Sequence, residues 1–204
     1  MKKNLLSIFS IMVLLNSSAQ LKGGIEHYSY FSNDAVFSME PVLHIQTSRG
    51  VYGELRYNYE KKGALSFNTG KIFLIRGKLP TTLTPMLGIV AGSMKGYNLA
   101  LNQQTDWKNF YFSSQSQYCR SFSKEDPGFF FSWSESGYNI SPVVFTAIAL
   151  QCRNQANDWD MEPGIMGGIN LKNISVSLYL FNPLCTAVYF VAGLRYECSL
   201  SKRK

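Results

Sequence analysis

Apolar and polar residues alternate along most of this chain with period two, the signature of strands that bury one face. Across residues 35 to 47, Phe37, Met39, Leu43 and Ile45 share one face, while Ser38, Glu40, His44 and Gln46 share the other. From 51 to 60, Val51, Leu55, Tyr57 and Tyr59 oppose Tyr52, Glu54, Arg56 and Asn58. Val144, Ile148, Leu150 and Cys152 alternate with Ala147, Ala149, Gln151 and Arg153, and Ile174, Val176, Leu178 and Leu180 with Ser175, Ser177 and Tyr179. The last such run, 187 to 198, sets Val188, Phe190, Leu194 and Tyr196 against Gly193, Arg195 and Glu197.

These runs predict about twelve strands: 24–32, 35–47, 51–60, 63–76, 82–93, 96–103, 107–121, 128–139, 143–154, 161–171, 173–181 and 187–198. The count falls to eight or ten if some runs merge or lie outside the sheet. Several reach the roughly 9 to 12 residues that a tilted strand needs to cross a bilayer, longer than the five or six usual in soluble sheets. Turn formers separate them, at Asn33-Asp34, Ser48 to Gly50, Glu60 to Gly63, Lys124 to Gly128, Asn139 to Pro142, Asn154 to Asp160 and Asn182 to Thr186. A meander follows.

Soluble sandwiches also alternate, so the choice of architecture rests on further features. Aromatics gather near strand ends, at Tyr28, Tyr30, Tyr57, Tyr59, Phe110, Phe112, Phe129 to Phe131, Trp133, Tyr179 and Phe181, as interfacial girdles would. The polar faces pair opposite charges, Glu54 with Arg56 and Arg195 with Glu197, as a narrow lumen would. Strand follows strand with no helix signal. The expected fold class is all-β, an antiparallel up-and-down transmembrane β-barrel. A soluble periplasmic or secreted β-sandwich-like protein is the alternative, favoured by the basic ending Leu200-Ser201-Lys202-Arg203-Lys204, where barrels usually present an aromatic residue.

The N-terminus sharpens the picture. Lys2 and Lys3 precede the apolar run Leu5 to Leu15, and Asn16-Ser17-Ser18-Ala19 supplies small residues for cleavage. Residues 1–19 therefore read as a signal peptide, too short in its apolar part to span a bilayer as a helix, and 20–204 as a single barrel domain beginning at Gln20. No later segment offers about 18 uninterrupted apolar residues, so membrane residence must be as a barrel, with outer-membrane lipid as its surroundings.

Net charge is +7, or +5 without Lys2 and Lys3, and three of those charges sit at Lys202, Arg203 and Lys204. Charged residues make up 16% and aromatics 14%, with the bases scattered rather than interleaved with stacking rings, which argues against a nucleic-acid partner. Cys119, Cys152, Cys185 and Cys198 allow three disulfide pairings in an oxidising compartment. Cys152 and Cys198 fall on apolar strand faces, which suits free thiols equally well, so no pairing is assigned.

The segments Leu83-Thr84-Pro85-Met86-Leu87-Gly88, Phe129-Phe130-Phe131-Ser132-Trp133-Ser134-Glu135 and Tyr179-Leu180-Phe181-Asn182-Pro183 resemble those of the small, uncharacterised outer-membrane barrels of Bacteroidota. The Ala-Gln junction resembles the cleavage points of many precursors from the same bacteria. The resemblance implies a Gram-negative outer membrane and a barrel shape, and no chemistry.

Two constellations carry functional expectations. His27 and Ser29 share a strand face, so an imidazole can reach a hydroxyl and act as its base. This His-x-Ser pattern resembles two outer-membrane esterase families, lipid A 3-O-deacylase and phospholipase A. The resemblance implies Ser29 as nucleophile, His27 as base and Glu40 on the next strand as the orienting acid. The second is a lumen-side polar set, Glu40, His44, Glu54, Arg56, Arg153, Glu162, Arg195 and Glu197. Mixed charges on inward faces form a structural network, or set ion selectivity where the lumen is wet. His27 and His44 are the only histidines and no close ligand pair accompanies them, so no metal or other cofactor is expected. Gly164, Gly167 and Gly168 lie within a strand pattern and read as bends or close packing, not as a phosphate loop. The leading reading is a non-enzymatic barrel, structural or a narrow passive pore for small solutes. The esterase and the soluble β-protein are the alternatives.

Overall fold

The computed structural model describes residues 21–32, 37–123 and 127–200; the segment expected to be a signal peptide, the turn expected at Asn33-Asp34 and the residues from Ser201 lie outside these. Thirteen strand segments follow one another: β1 (Leu21–Ser32), β2 (Ser38–Thr47), β3 (Val51–Tyr57), β4 (Ala64–Lys71), β5 (Phe73–Ile75), β6 (Thr81–Gly92), β7 (Gly96–Trp107), β8 (Phe110–Ser121), β9 (Phe129–Asn139), β10 (Val144–Gln155), β11 (Asp158–Leu171), β12 (Ile174–Phe181) and β13 (Tyr189–Ser199). Segments β4 and β5 are one stave interrupted at Ile72, because Gly70 opposite Met86 and Phe73 opposite Leu83 keep a single register against β6. Every stave pairs antiparallel with its chain neighbours, and β1 pairs with β13 from Lys22 opposite Ser199 to Ser32 opposite Tyr189. The sheet therefore closes into a twelve-stranded antiparallel barrel with no free edge. A two-layer sandwich is excluded.

Both described chain ends, Leu21 and Ser199, lie at one rim, here the termini end. The opposite rim, the loop end, carries the connections before β2, β4, β7, β9, β11 and β13. Strand boundaries shift by up to four residues from the sequence expectation, and two of the shifts have a clear cause. Strand β7 runs on through Gln103, Gln104, Thr105 and Asp106, an all-polar stretch in which alternation has nothing to report. The 154–160 turn shrinks to Ala156-Asn157, both at positive φ (54° and 67°), the two-residue hairpin geometry that matches strand twist.

Alternation decides the two faces of the wall. Outward positions hold Leu43, Leu55, Phe67, Leu87, Ile89, Leu99, Ile148, Ile165 and Leu178, all solvent-accessible in the isolated chain and up to 66% exposed at Ile89 and Ile148. In water such a continuous apolar surface would drive aggregation. In hydrocarbon it is the required exterior, since closure has already paired the backbone groups. Polar residues interrupt the band where β8 meets β9, and there the hydroxyls satisfy each other: Ser114 with Ser134 at 3.0 Å and Ser116 with Ser132 at 2.8 Å.

Aromatic residues require a correction. Tyr28, Tyr30, Tyr59, Phe131, Trp133, Tyr179 and Phe181, expected in girdles, pack inside the barrel instead. Their strands are right and their faces are inward. Girdle positions at the loop end are held by the contacting pairs Phe31–Phe37, Tyr97–Phe122 and Phe130–Trp159, and at the termini end by Trp107, Phe110 and Tyr138. The four cysteines carry no disulfide; Cys119 is fully buried on the inner face, whereas Cys152 and Cys198 hold outward positions.

Candidate functional site: the barrel lumen

The lumen has two unlike walls. From β9 to β13 the inward residues are Trp133, Phe145, Ala147, Ala149, Met166, Tyr179, Phe181 and Val191, a buried apolar cluster. Trp133 is its hub, 5.0 Å from the Tyr179 ring, 5.6 Å from Phe181 and 5.1 Å from Tyr28, which stands on β1, five staves away. Gly164 and Gly168 face inward within this wall, where a Cβ would overlap the rings of Phe181 and Phe145 respectively. Their role is close packing, while Gly167 points outward into open space.

From β3 to β8 the inward face carries a polar set, beside a smaller apolar cluster of Ala64, Val90, Met94 and Cys119 toward the loop end. Arg56, only 2% exposed, is paired with Glu54, donates from Nη1 to Gln117 Oε1 at 2.9 Å, and lies over the Tyr59 ring at 4.5 Å. Tyr59 folds inward because Asn58 at φ 63° breaks the alternation after β3, opposite to the face its sequence position suggests. Glu60 lies under the loop end, where its Oε1 accepts from Ser66 Oγ at 2.7 Å and Asn98 Nδ2 at 3.3 Å. Asn68, Asn98 and Ser66 have no exposed surface. Gly88 makes room for them, since a Cβ there would overlap both asparagine amides. The middle of the lumen is thus occupied by side chains, with a cavity of about 410 Å³ toward the loop end and one of about 250 Å³ toward the termini end.

All eight residues of the predicted polar set stand on inward positions, but in three groups. At the termini end, Arg195 Nε donates to Glu26 Oε1 at 3.1 Å and His44 lies 3.2 Å from Glu197, with Glu135 and Asp106 on the same cavity's wall and Lys22 at its rim. The middle holds Glu54 and Arg56. At the loop end are Glu40, Arg153 and Glu162, with Asp158 and Asp160 on the same inward phase of β11. Sequence reasoning passed over Glu26, Glu60 and Glu135, and with them the way these carboxylates are held. Tyr28, Tyr52, Tyr179 and Tyr189 donate their hydroxyls to Glu26, Glu54, Glu135 and Glu162 at 3.0, 2.9, 2.8 and 2.7 Å. Two of these pairs lie two residues apart on one strand, Glu26 with Tyr28 and Tyr52 with Glu54, a spacing visible in the sequence.

The esterase constellation comes apart. His27 Nε2 and Ser29 Oγ are 2.9 Å apart, but on the outer face, whereas Glu40 points into the lumen on the other side of the wall. The residues opposite His27 are Pro41 and Leu194, and those opposite Ser29 are Met39 and Ala192, so no acid on a neighbouring strand stands beside the imidazole. Among the described residues one group of potential metal ligands converges, Glu26, His44 and Glu197 within 4.8 Å. Both oxygens of Glu26 are already engaged, by Arg195 and Tyr28, so this group serves as an ion-pair network.

No protein-family model and no curated protein sequence matches the chain. Solved structures do. A KdgM porin in complex with disordered oligogalacturonate superposes with a TM-score of 0.59 at 12% identity, covering 85% of this chain and 98% of that one. A NanC porin superposes with a TM-score of 0.54, also at 12% identity, covering 90% and 100%. The fold is that of a small outer-membrane porin. Because the other barrels are covered almost end to end, stave number and closure are shared and not merely a run of adjacent hairpins. The apolar exterior and the rim aromatics fit the same outer-membrane location.

Proposed function

We propose that this protein is a narrow passive pore for small solutes in the outer membrane, exported by a signal peptide cleaved before Gln20 and surrounded by outer-membrane lipid. The observation that carries this reading is the unfinished hydrogen bonding of the polar wall. Asn68 Oδ1 and Nδ2, Asn98 Oδ1, Asn102 Oδ1, Gln117 Nε2 and Glu60 Oε2 are buried without protein partners. A barrel whose interior served packing alone would leave few such groups, because each costs about 1–3 kcal/mol when unsatisfied. Water entering along this wall satisfies them, and a file of water between two mouth cavities is a solute path. Among the described residues, the connections at both rims are short and none places a plug in either mouth. The outer-membrane barrels of Bacteroidota are the relatives to which the sequence segments above point.

Reconstitution of the purified mature chain into planar bilayers tests this. Discrete openings are expected, of small conductance because Arg56, Tyr59 and Trp133 narrow the middle. A correctly closed barrel, verified by its heat-modifiable migration in gels, that gives no openings assigns the protein a structural role instead.

A further inference from the structure

Charge is segregated in this barrel in a way that net charge conceals. Every aspartate and glutamate on a described strand occupies an inward position, while Arg49, Arg76, Lys78, Lys108 and Lys172 lie in turns at the termini rim and Lys71 and Arg120 point outward. Inside, the balance is acidic at both mouths. At the termini end the four carboxylates described above face Arg195 and Lys22. At the loop end the four strand carboxylates and Glu60 face Arg153 and the loop residues Lys61, Lys62 and Lys95. Among the described residues the termini mouth therefore has an excess of two carboxylates and the loop mouth of one, and Glu54 with Arg56 leaves the middle balanced.

Two further observations show that these carboxylates are available. Three of them, Glu26, Glu135 and Glu162, are held by tyrosine hydroxyls, neutral donors that fix the carboxylate without cancelling its charge. Glu60, 4% exposed, lines the loop-end cavity with an Oε2 that has no partner at all. A buried carboxylate oxygen with no donor is a strong acceptor for a passing cation. In a lumen walled by low-dielectric protein and lipid, a small excess of fixed charge is focused and not screened as it would be in bulk.

We propose that the lumen selects cations, so that small solutes bearing an amine, a guanidinium or another positive charge pass in preference to anions. This rests on the pore reading above. It also separates the protein from an acidic-oligosaccharide channel, since an oligogalacturonate, the ligand of the similar porin, carries the same sign as both mouths.

The test is the reversal potential of single openings of the full mature chain under a tenfold KCl gradient. A cation-selective sign is expected, with a potassium-to-chloride permeability ratio of about three or more. A ratio of one, or an anion-selective sign, overturns the inference while leaving the pore intact; complete absence of openings overturns the pore reading itself. The double variant Asp106→Asn, Glu197→Gln removes the excess at the termini mouth, and both side chains are exposed, so folding is spared. It should lower the ratio about twofold, and Glu60→Gln should lower it further. An unchanged ratio in the double variant, with heat-modifiable migration retained, overturns the assignment of selectivity to these carboxylates.

Discussion

The β9–β13 wall and the β3–β8 wall close the same lumen by opposite means. On the first, Trp133, Phe145, Met166, Tyr179, Phe181 and Val191 interlock in one buried apolar cluster. On the second, Glu60, Asn68, Asn98 and Gln117 are equally buried, but their hydrogen bonding is incomplete. Burial by area is similar; burial in energy is not. Dispersion and hydrophobic contact stabilise the aromatic wall through its packing, while the polar wall is stable only if water or a passing ion completes it. The contrast implies a division of labour in which one wall holds the barrel rigid and the other conducts.

The strongest way to break this contrast is through its one charged pair. Arg56→Ala leaves Glu54 buried without its cation, and the expected loss is about 3–5 kcal/mol. Urea unfolding of the barrel in detergent or lipid, followed by gel migration, measures it. The paired replacement of Glu54 and Arg56 by methionine should recover most of that loss, since no lone charge remains. A single Arg56→Ala variant as stable as the parent would show that the polar wall is already hydrated enough to tolerate a free carboxylate.

Trp133→Ala attacks the other wall. Three rings, Tyr28, Tyr179 and Phe181, lose their common neighbour, so a loss of about 3 kcal/mol is expected, at the low end for a buried Trp because the freed space opens toward the lumen. Conductance should rise, as the narrowest part of the lumen widens. Falling stability with unchanged conductance would mean that ions never pass beside Trp133, which sharpens the assignment of the path to the polar wall.

How far the sequence carried this reading depends on what period two can encode. It separates inside from outside on every strand where polar and apolar residues differ, which is why Glu54, Arg56, Arg195 and Glu197 could be set on the inner face. It is silent where both faces are polar, as at Gln103 to Asp106. It misleads where an aromatic residue replaces a polar one on the inner face. Trp133 and Phe181 looked like girdle residues because a ring suits lipid, rim and packed lumen alike, and only the register fixes which. A single backbone dihedral was also invisible: the positive φ of Asn58 breaks the phase after β3 and delivers Tyr59 to the lumen. The outer-face position of His27 and Ser29 was implicit in the alternation, since Glu26, Tyr28 and Tyr30 take the inner face of the same strand. Glu40 on β2 is in phase with those inner residues, a relation that strand register reveals and spacing along one chain does not.

Gly88→Ala probes the polar wall more gently. A methyl group there collides with the amides of Asn68 and Asn98, and the Asn98 amide must swing away from Glu60. The expected cost is about 1–3 kcal/mol from overpacking, with a lower conductance because displaced amides fill the hydrated space. Equal conductance would place the ion path elsewhere in the lumen.

The smallest expected effect supplies the control for all three. Ala156 begins the two-residue turn between β10 and β11, at the rim of the aromatic wall, with φ 54° and a Cβ that disfavours that conformation. Ala156→Gly removes the left-handed penalty, roughly 1 kcal/mol, part of which is returned as greater freedom of the unfolded chain. A net gain of a few tenths of a kcal/mol is therefore expected, read as a small shift of the urea midpoint. Conductance and ion selectivity should not move, because the turn contributes no side chain to the lumen. If tightening this hairpin alters conductance, the two walls are mechanically coupled and the aromatic side is part of the gate, not merely its frame.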